Sequence, residues 1–161
     1  MNVDILVVGP LETNCYIISK DNKCLIVDPG DNENFIVSTL KEKKLTPEAI
    51  LITHDHEDHI KYAKSLSLIY GITIYDYNNL FEGPKSLGDF NFEVIYTPGH
   101  SDSSITFYFK EYDIMFTGDF VFYEDVGRTD LKTGSYTKLL ESIKKIKTYS
   151  DNITLYPGHG G

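Results

Sequence analysis

Tryptophan is missing from this 161-residue chain, and cysteine and methionine occur only twice each. Cys15 and Cys24 sit on two strand-like runs, NCYIIS and KCLIVD, joined by a polar turn near Asp21 and Asn22. A hairpin of these runs places Cys24 beside Ser19 and Cys15 beside Asp28. The two thiols are then on the order of 13 Å apart along the ladder, whereas a disulfide needs Cα atoms within about 7 Å. Both cysteines therefore read as reduced core residues, and neither as a metal ligand. Basic residues are also in short supply, with 15 Lys and Arg against 24 Asp and Glu and a net charge of −9. That balance disfavours nucleic acid, which wants a basic stripe, and also an anionic membrane surface.

Long apolar runs are absent too. Nothing approaches the roughly 18 residues needed to span a bilayer. The opening MNVDILVVGP has neither a basic start nor a long apolar core, so it does not read as a signal peptide. The expected location is cytoplasmic and the expected partner a small-molecule substrate, with no nucleic acid and no membrane; oligomeric state is not legible. An apolar content of 41% and this length fit one domain over residues 1–161.

What is present is an alternation of short apolar runs and turn signals. Val3 to Val8, Cys15 to Ser19, Lys23 to Asp28 and Ala49 to Thr53 read as strands. So do Ile72 to Tyr75, Phe90 to Thr97, Ser104 to Phe109, Ile114 to Thr117 and Ile153 to Tyr156. Helical spacing of apolar residues covers Asn32 to Lys44, Asp58 to Tyr70 and Ser135 to Thr148. Helices fall between groups of strands. The pattern predicts an α/β fold, two sheets face to face with helices outside, an αββα sandwich of four layers in compact form.

Histidine is where the chemistry concentrates. There are five, and three lie in the seven residues THDHEDH, Thr53 to His59. His100 follows in TPGHS and His159 in YPGHG, while FTGD carries Asp119. Each motif follows a predicted strand, so the motifs converge if the strand ends share one edge of the sandwich. His54 and His56 are two residues apart, which points both to the same side of an extended segment. They can hold one metal. Asp58 and His59, at a helix start, suit a second. For Asp58 alone, a helix N-cap is the plainer reading. Imidazole and carboxylate without thiolate suit zinc, and also iron or manganese, with open positions for water and substrate.

THDHEDH matches the H-x-H-x-D-H signature of the metallo-β-lactamase superfamily. TPGHS, FTGD and YPGHG match its later motifs in order, and the resemblance extends back to TNCYII and VDPG. Within that superfamily, FTGDFVFYEDVGRTDLKTGS is similar to the glyoxalase II-like hydrolases. The resemblance implies the metallo-β-lactamase fold and two Zn2+ per chain. One ion would be held by His54, His56 and His100, the other by Asp58, His59 and His159, with Asp119 between them. His54, His56, Asp58 and Asp119 are the expected catalytic residues. Asp28 would stand behind the ligands and orient the histidine loop, its plainer reading being a turn-forming aspartate. Arg128 and Asp130 of GRTD would brace the loop beside the site. The implied reaction is hydrolysis of a small thioester or related acyl compound by a metal-bound hydroxide, with a thiolate, pKa near about 8.5, as leaving group.

The chain departs from that pattern in three places. Glyoxalase II proper carries a C-terminal helical domain with no counterpart in this sequence, which stops two residues after His159. Lys61 and Tyr62 stand where relatives commonly have glycines. The stretch from Asp76 to Leu87 is short, which predicts an open site. The competing expectations are a mononuclear iron enzyme like the persulfide dioxygenases of the same superfamily, and a metal-binding domain without activity.

Overall fold

The computed structural model describes residues 1–122, 125–127, 129–130, 133–149 and 152–160, with backbone alone at 121, 122, 125 and 126. The first sheet has the order β1-β2-β3-β4-β5, from Asn2–Val8, Thr13–Lys20, Lys23–Val27, Thr46–Leu51 and Thr73–Tyr75. β1 to β3 are antiparallel neighbours, and β4 and β5 add in parallel. The second sheet has the order β12-β9-β8-β7-β6, from Thr154–Pro157, Ile114–Gly118, Ile105–Phe109, Phe90–Tyr96 and Gly83–Leu87. A small hairpin, β10 (Val121–Phe122) with β11 (Asp125–Val126), follows β9. The helices are α1 (Glu33–Glu42), α2 (Glu57–Ile60), α3 (Ala63–Tyr70) and α4 (Tyr136–Ile146).

The layering is written in alternate residues. Along β2, Tyr16 and Ile18 enter the core between the sheets, while Cys15 and Ile17 face the helices. β3 divides in the same way, Leu25 and Val27 against Cys24 and Ile26. A strand covered on both faces has no polar side to show, so these strands are apolar nearly throughout. In the second sheet Phe107 and Phe116 enter the central core, and Tyr108 and Met115 turn to the outer cluster joined by Ile146 of α4. The result is helices, sheet, sheet, helix: the αββα sandwich that the sequence predicts. Phe116 joins the sheets, its ring 5.1 Å from Tyr16 edge-on and stacked 5.1 Å from Tyr156.

The cysteine register is as expected. Ser19 pairs with Cys24, and both thiols are free and buried. Burial, with Glu48 adding to it, pushes the Cys24 thiol up to about 12. Two elements differ from expectation. The helix expected over Asp58 to Tyr70 is broken at Lys61 and Tyr62. There the Tyr62 amide donates to Pro29 O, 3.0 Å away, because the helix start is pressed against the Asp28-Pro29-Gly30 turn. The run from Asp76 to Leu87 contains the strand β6, hidden in the sequence by Gly83 and Pro84 at its start; it is an edge strand, where proline is tolerated. No helix among the described residues is long and apolar enough to cross a membrane.

Truncating Phe116, fully buried between the sheets, to alanine is expected to cost about 3–5 kcal/mol of unfolding free energy. Denaturant melts of Phe116→Ala read this directly, and a loss under about 1 kcal/mol would show that the inter-sheet core is not the principal source of stability.

Candidate metal centre

The strand ends do converge. His54, His56, Asp58 and His59 follow β4, His100 follows β7, Asp119 follows β9 and His159 follows β12. Backbone hydrogen bonds tie these ends together. Ile105 N donates to Thr53 O, and Gly158 N to Gly118 O. Two groups form, His54 with His56 and His100, and Asp58 with His59, Asp119 and His159.

Asp119 joins the groups. Its Oδ2 lies 3.2 Å from His59 Nε2, 3.4 Å from His159 Nε2 and 3.5 Å from both His54 Nε2 and His100 Nε2. Asp58 Oδ2 lies 3.1 Å from His159 Nε2 and 3.4 Å from His59 Nε2, and His100 Nε2 lies 3.1 Å from His56 Nδ1. Ligands about 2.0–2.1 Å from a tetrahedral ion stand roughly 3.3 Å from one another, so these spacings fit a pair of ions. His54 Nε2 and Asp119 Oδ1 are buried without a hydrogen-bond partner, the condition expected of atoms whose partner is an ion. The donor set, nitrogen and carboxylate oxygen without sulfur, suits a divalent metal.

Behind the ligands lies Asp28, 1% exposed. Its Oδ1 accepts from Thr53 N at 2.8 Å, and its Oδ2 from Thr53 Oγ1 at 2.6 Å. His59 Nδ1 is 2.8 Å from the same Oδ2. Because the Thr53 hydroxyl gives its proton to Asp28, it accepts from His54 Nδ1, 3.1 Å away. Both imidazoles are thereby held with the proton on Nδ1 and with Nε2 turned to the centre. One carboxylate sets a ligand in each group. Asp28 also has φ 52, and its carbonyl accepts from Gly30 N, so the turn and the orienting carboxylate are one device.

The sequence reading missed Thr13 and Asn14. Thr13 Oγ1 donates to Asp58 Oδ2 at 3.1 Å. Asn14 Nδ2 donates to Pro157 O at 3.1 Å and Gly160 O at 2.8 Å, and its backbone N–H to Gly158 O. The Tyr16 hydroxyl also donates to Pro157 O. Thus β2 holds the loop that carries His159, whose Nδ1 donates to Leu11 O at 3.0 Å. The polar TN ahead of a buried strand was the available signal. Asp58 is not a helix N-cap: His56 occupies that position, and the Asp58 carboxylate faces Thr13 and the histidines. Gly158 is required by contact, since a Cβ there would meet Asp119 Oδ1 at 2.3 Å and His59 Cε1 at 2.5 Å. Lys61 lines a cavity of about 260 Å³ on the Asp58 side, with Val8, Pro10 and Leu11. Asp130 is exposed, and Arg128 lies outside the described residues.

The electrostatics are strongly coupled. Burial lowers the His54 imidazole to about 4, with the His59 charge acting the same way, so it is neutral near pH 7. Burial also works against a charged His59, but Asp28 and Asp119 outweigh it and raise its pKa to about 10. Hydrogen bonds to Asp119 and Asp58 raise His159 to about 10. Burial would raise Asp58, yet the bond from His159 and the His59 charge bring it down to about 2. Asp119 is held far below the carboxylate range, because bonds from His159 and His59 and the charge on His59 overcome its burial.

A model of the metallo-beta-lactamase superfamily matches residues 8–75 and 76–159. The chain belongs to that superfamily. Among its relatives are the probable metallo-hydrolase YqgX of Bacillus subtilis, 35% identical over 95% of this chain and 87% of that protein, and the hydroxyacylglutathione hydrolase GloC of Haemophilus influenzae, 32% identical over 99% and 91%. They make it a glyoxalase II-like member and support a metal-dependent hydrolase. The alignment with YqgX is 184 positions long, more than this whole chain, so that relative carries insertions absent here. Three solved structures share the fold closely. The BLEG-1 B3 metallo-beta-lactamase is 30% identical with a TM-score of 0.93, over 99% of this chain and 92% of that one. TTHA1623 in a di-iron-bound form is 27% identical, TM-score 0.90, over 98% and 92%. ETHE1 from Myxococcus xanthus is 28% identical, TM-score 0.92, over 100% and 76%.

In metal-free protein, protonated His59 and His159 stabilise the fold fully below about pH 6.5, the pKa of a free imidazole, and that contribution is lost as pH rises toward about 10. The unfolding free energy of chelator-treated protein is therefore expected to fall across this window. Asp28→Asn removes the leading charge that raises His59 and should flatten the fall. Stability that climbs over the same window contradicts the coupling.

Proposed function

We propose that the chain is a metal-dependent hydrolase that holds two divalent ions, zinc by preference, and cleaves a small thioester or related acyl compound. The observation that carries the reading is Asp119 Oδ2, which stands 3.2–3.5 Å from histidine nitrogens of both groups. His54, His56 and His100 would hold one ion, and Asp58, His59 and His159 the other, with Asp119 shared. Such a pair, when bound, supplies a water of lowered pKa and an electrophile for the scissile carbonyl. The names of the Bacillus and Haemophilus relatives support hydrolysis, and the di-iron neighbour supports a count of two.

The protein's own part is placement. Asp28 and Thr53 fix the tautomers of His54 and His59, so both present Nε2 to the centre in advance. His159 is held by Leu11 O, and Asp58 by the Thr13 hydroxyl. A thiolate leaves without prior protonation, because its conjugate acid is weak by only about 1–2 pK units at neutral pH; an amide nitrogen needs a proton donor. This favours a thioester over a β-lactam. A single-iron oxygenase, the second reading, would leave one of the two groups without an ion.

Elemental mass spectrometry of the purified protein is expected to give about two zinc per chain, with hydrolysis of a thioester panel containing S-D-lactoylglutathione and a neutral N-acetylcysteamine thioester. Asp119→Asn should lower metal content and reduce kcat/KM by about tenfold or more. One iron per chain, oxygen consumption with glutathione persulfide and no hydrolysis would overturn the reading, as would nitrocefin turnover without thioester turnover.

A further inference from the structure

Beside His54 opens a cavity of about 480 Å³. It continues the centre outward, since His54 lines it, is 2% exposed and has its Nε2 without a hydrogen-bond partner. Among the described residues, Asp55, Asp76 and Asp102 also line it, against one cation, Lys138. None of these aspartates is held in an ion pair among the described residues. The Asp76 carboxylate accepts from Asn78 N at 2.9 Å, and Asp55 from Ser103 Oγ at 3.0 Å, neutral donors that position each group without cancelling its charge.

Two aromatic rings line the same cavity. Tyr77 and Tyr96 have centroids 5.1 Å apart and tilted at 46°. The Tyr96 hydroxyl is engaged with Leu80 O at 2.6 Å, which leaves the ring as its contribution to the wall. Aromatic faces among carboxylates attract cations and repel anions.

We infer that this cavity selects the part of the substrate beyond the scissile bond by positive charge, taking an ammonium-bearing arm in preference to a neutral one and an anionic arm least. The inference rests on the thioester reading and narrows it. Glutathione, with two carboxylates and one ammonium, brings net negative charge to a wall whose described residues include three aspartates and one lysine.

The test compares acetylthiocholine, a neutral S-acetyl-N-acetylcysteamine and an anionic S-acetyl-3-mercaptopropionate on the zinc-loaded protein. The same acyl group is cleaved in each, releasing thiol that is read colorimetrically. A second readout is calorimetric binding of choline to metal-free protein, which needs no turnover. The cationic ester is expected to exceed the anionic one in kcat/KM by about tenfold or more, a gap that narrows as salt is raised. Asp76→Asn combined with Asp102→Asn, which keeps the Asp76 turn acceptor, should shrink that gap several-fold and weaken choline binding. Hydrolysis of the neutral ester without a cationic preference, or a preference unchanged in the double variant, overturns the cavity's role and leaves the thioester reading standing. If no ester is cleaved, the thioester reading falls, and choline decides the cavity alone. Binding that weakens in the double variant supports a cation site, and absence of binding refutes it.

Discussion

The architecture depends on one buried carboxylate. Asp28 sits at the end of β3 with scarcely any exposure, in a backbone conformation that few non-glycine residues adopt. A carboxylate so placed is tolerable only if its lone pairs are filled. Thr53 N, Thr53 Oγ1 and His59 Nδ1 fill them. Each donor lies on the segment that enters the histidine cluster. The free-energy cost of burying Asp28 is therefore offset only when that segment is correctly placed, which couples the stability of the loop to the geometry of the centre.

Charge is the second organising constraint. Seven titratable side chains from both sheets meet at one edge of the sandwich, and without an ion they compensate one another: histidines carry protons that the carboxylates hold in place. An entering cation replaces those protons, so uptake and deprotonation are linked. His54 stands apart, kept neutral by burial and by the charge on His59. The outer cavity continues the negative character with aspartates of its own.

Much of this was legible in the sequence because the relevant signals are local. The apolar runs in NCYIIS and KCLIVD marked two strands of the first sheet, and the spacing within THDHEDH separated the two ligand groups. What escaped was non-local. Thr13 and Asn14 look like ordinary strand-start polar residues, and only the return of the chain past residue 157 reveals their partners. The helix break at Lys61 and Tyr62 comes from contact with a turn some thirty residues earlier, which no periodicity within the helix records. β6 was hidden because glycine and proline, normally turn residues, are acceptable at a sheet edge. The role of Asp28 could be named from VDPG, but its reach to His59 directly and to His54 through Thr53 required coordinates.

The tether between β2 and the last strand also has a bearing on how the molecule forms. Asn14 and Tyr16 fasten a loop more than 140 positions away, and β12 joins its sheet in parallel beside β9. Such pairings carry a large loop-closure entropy and form late. During synthesis the histidine cluster, the Asp28 turn and the first sheet can all leave the ribosome well before His159 does. For that interval the nascent chain holds a cluster of acids and imidazoles without its last histidine. The order of translation therefore separates the emergence of His54, His56 and His100 from that of His159.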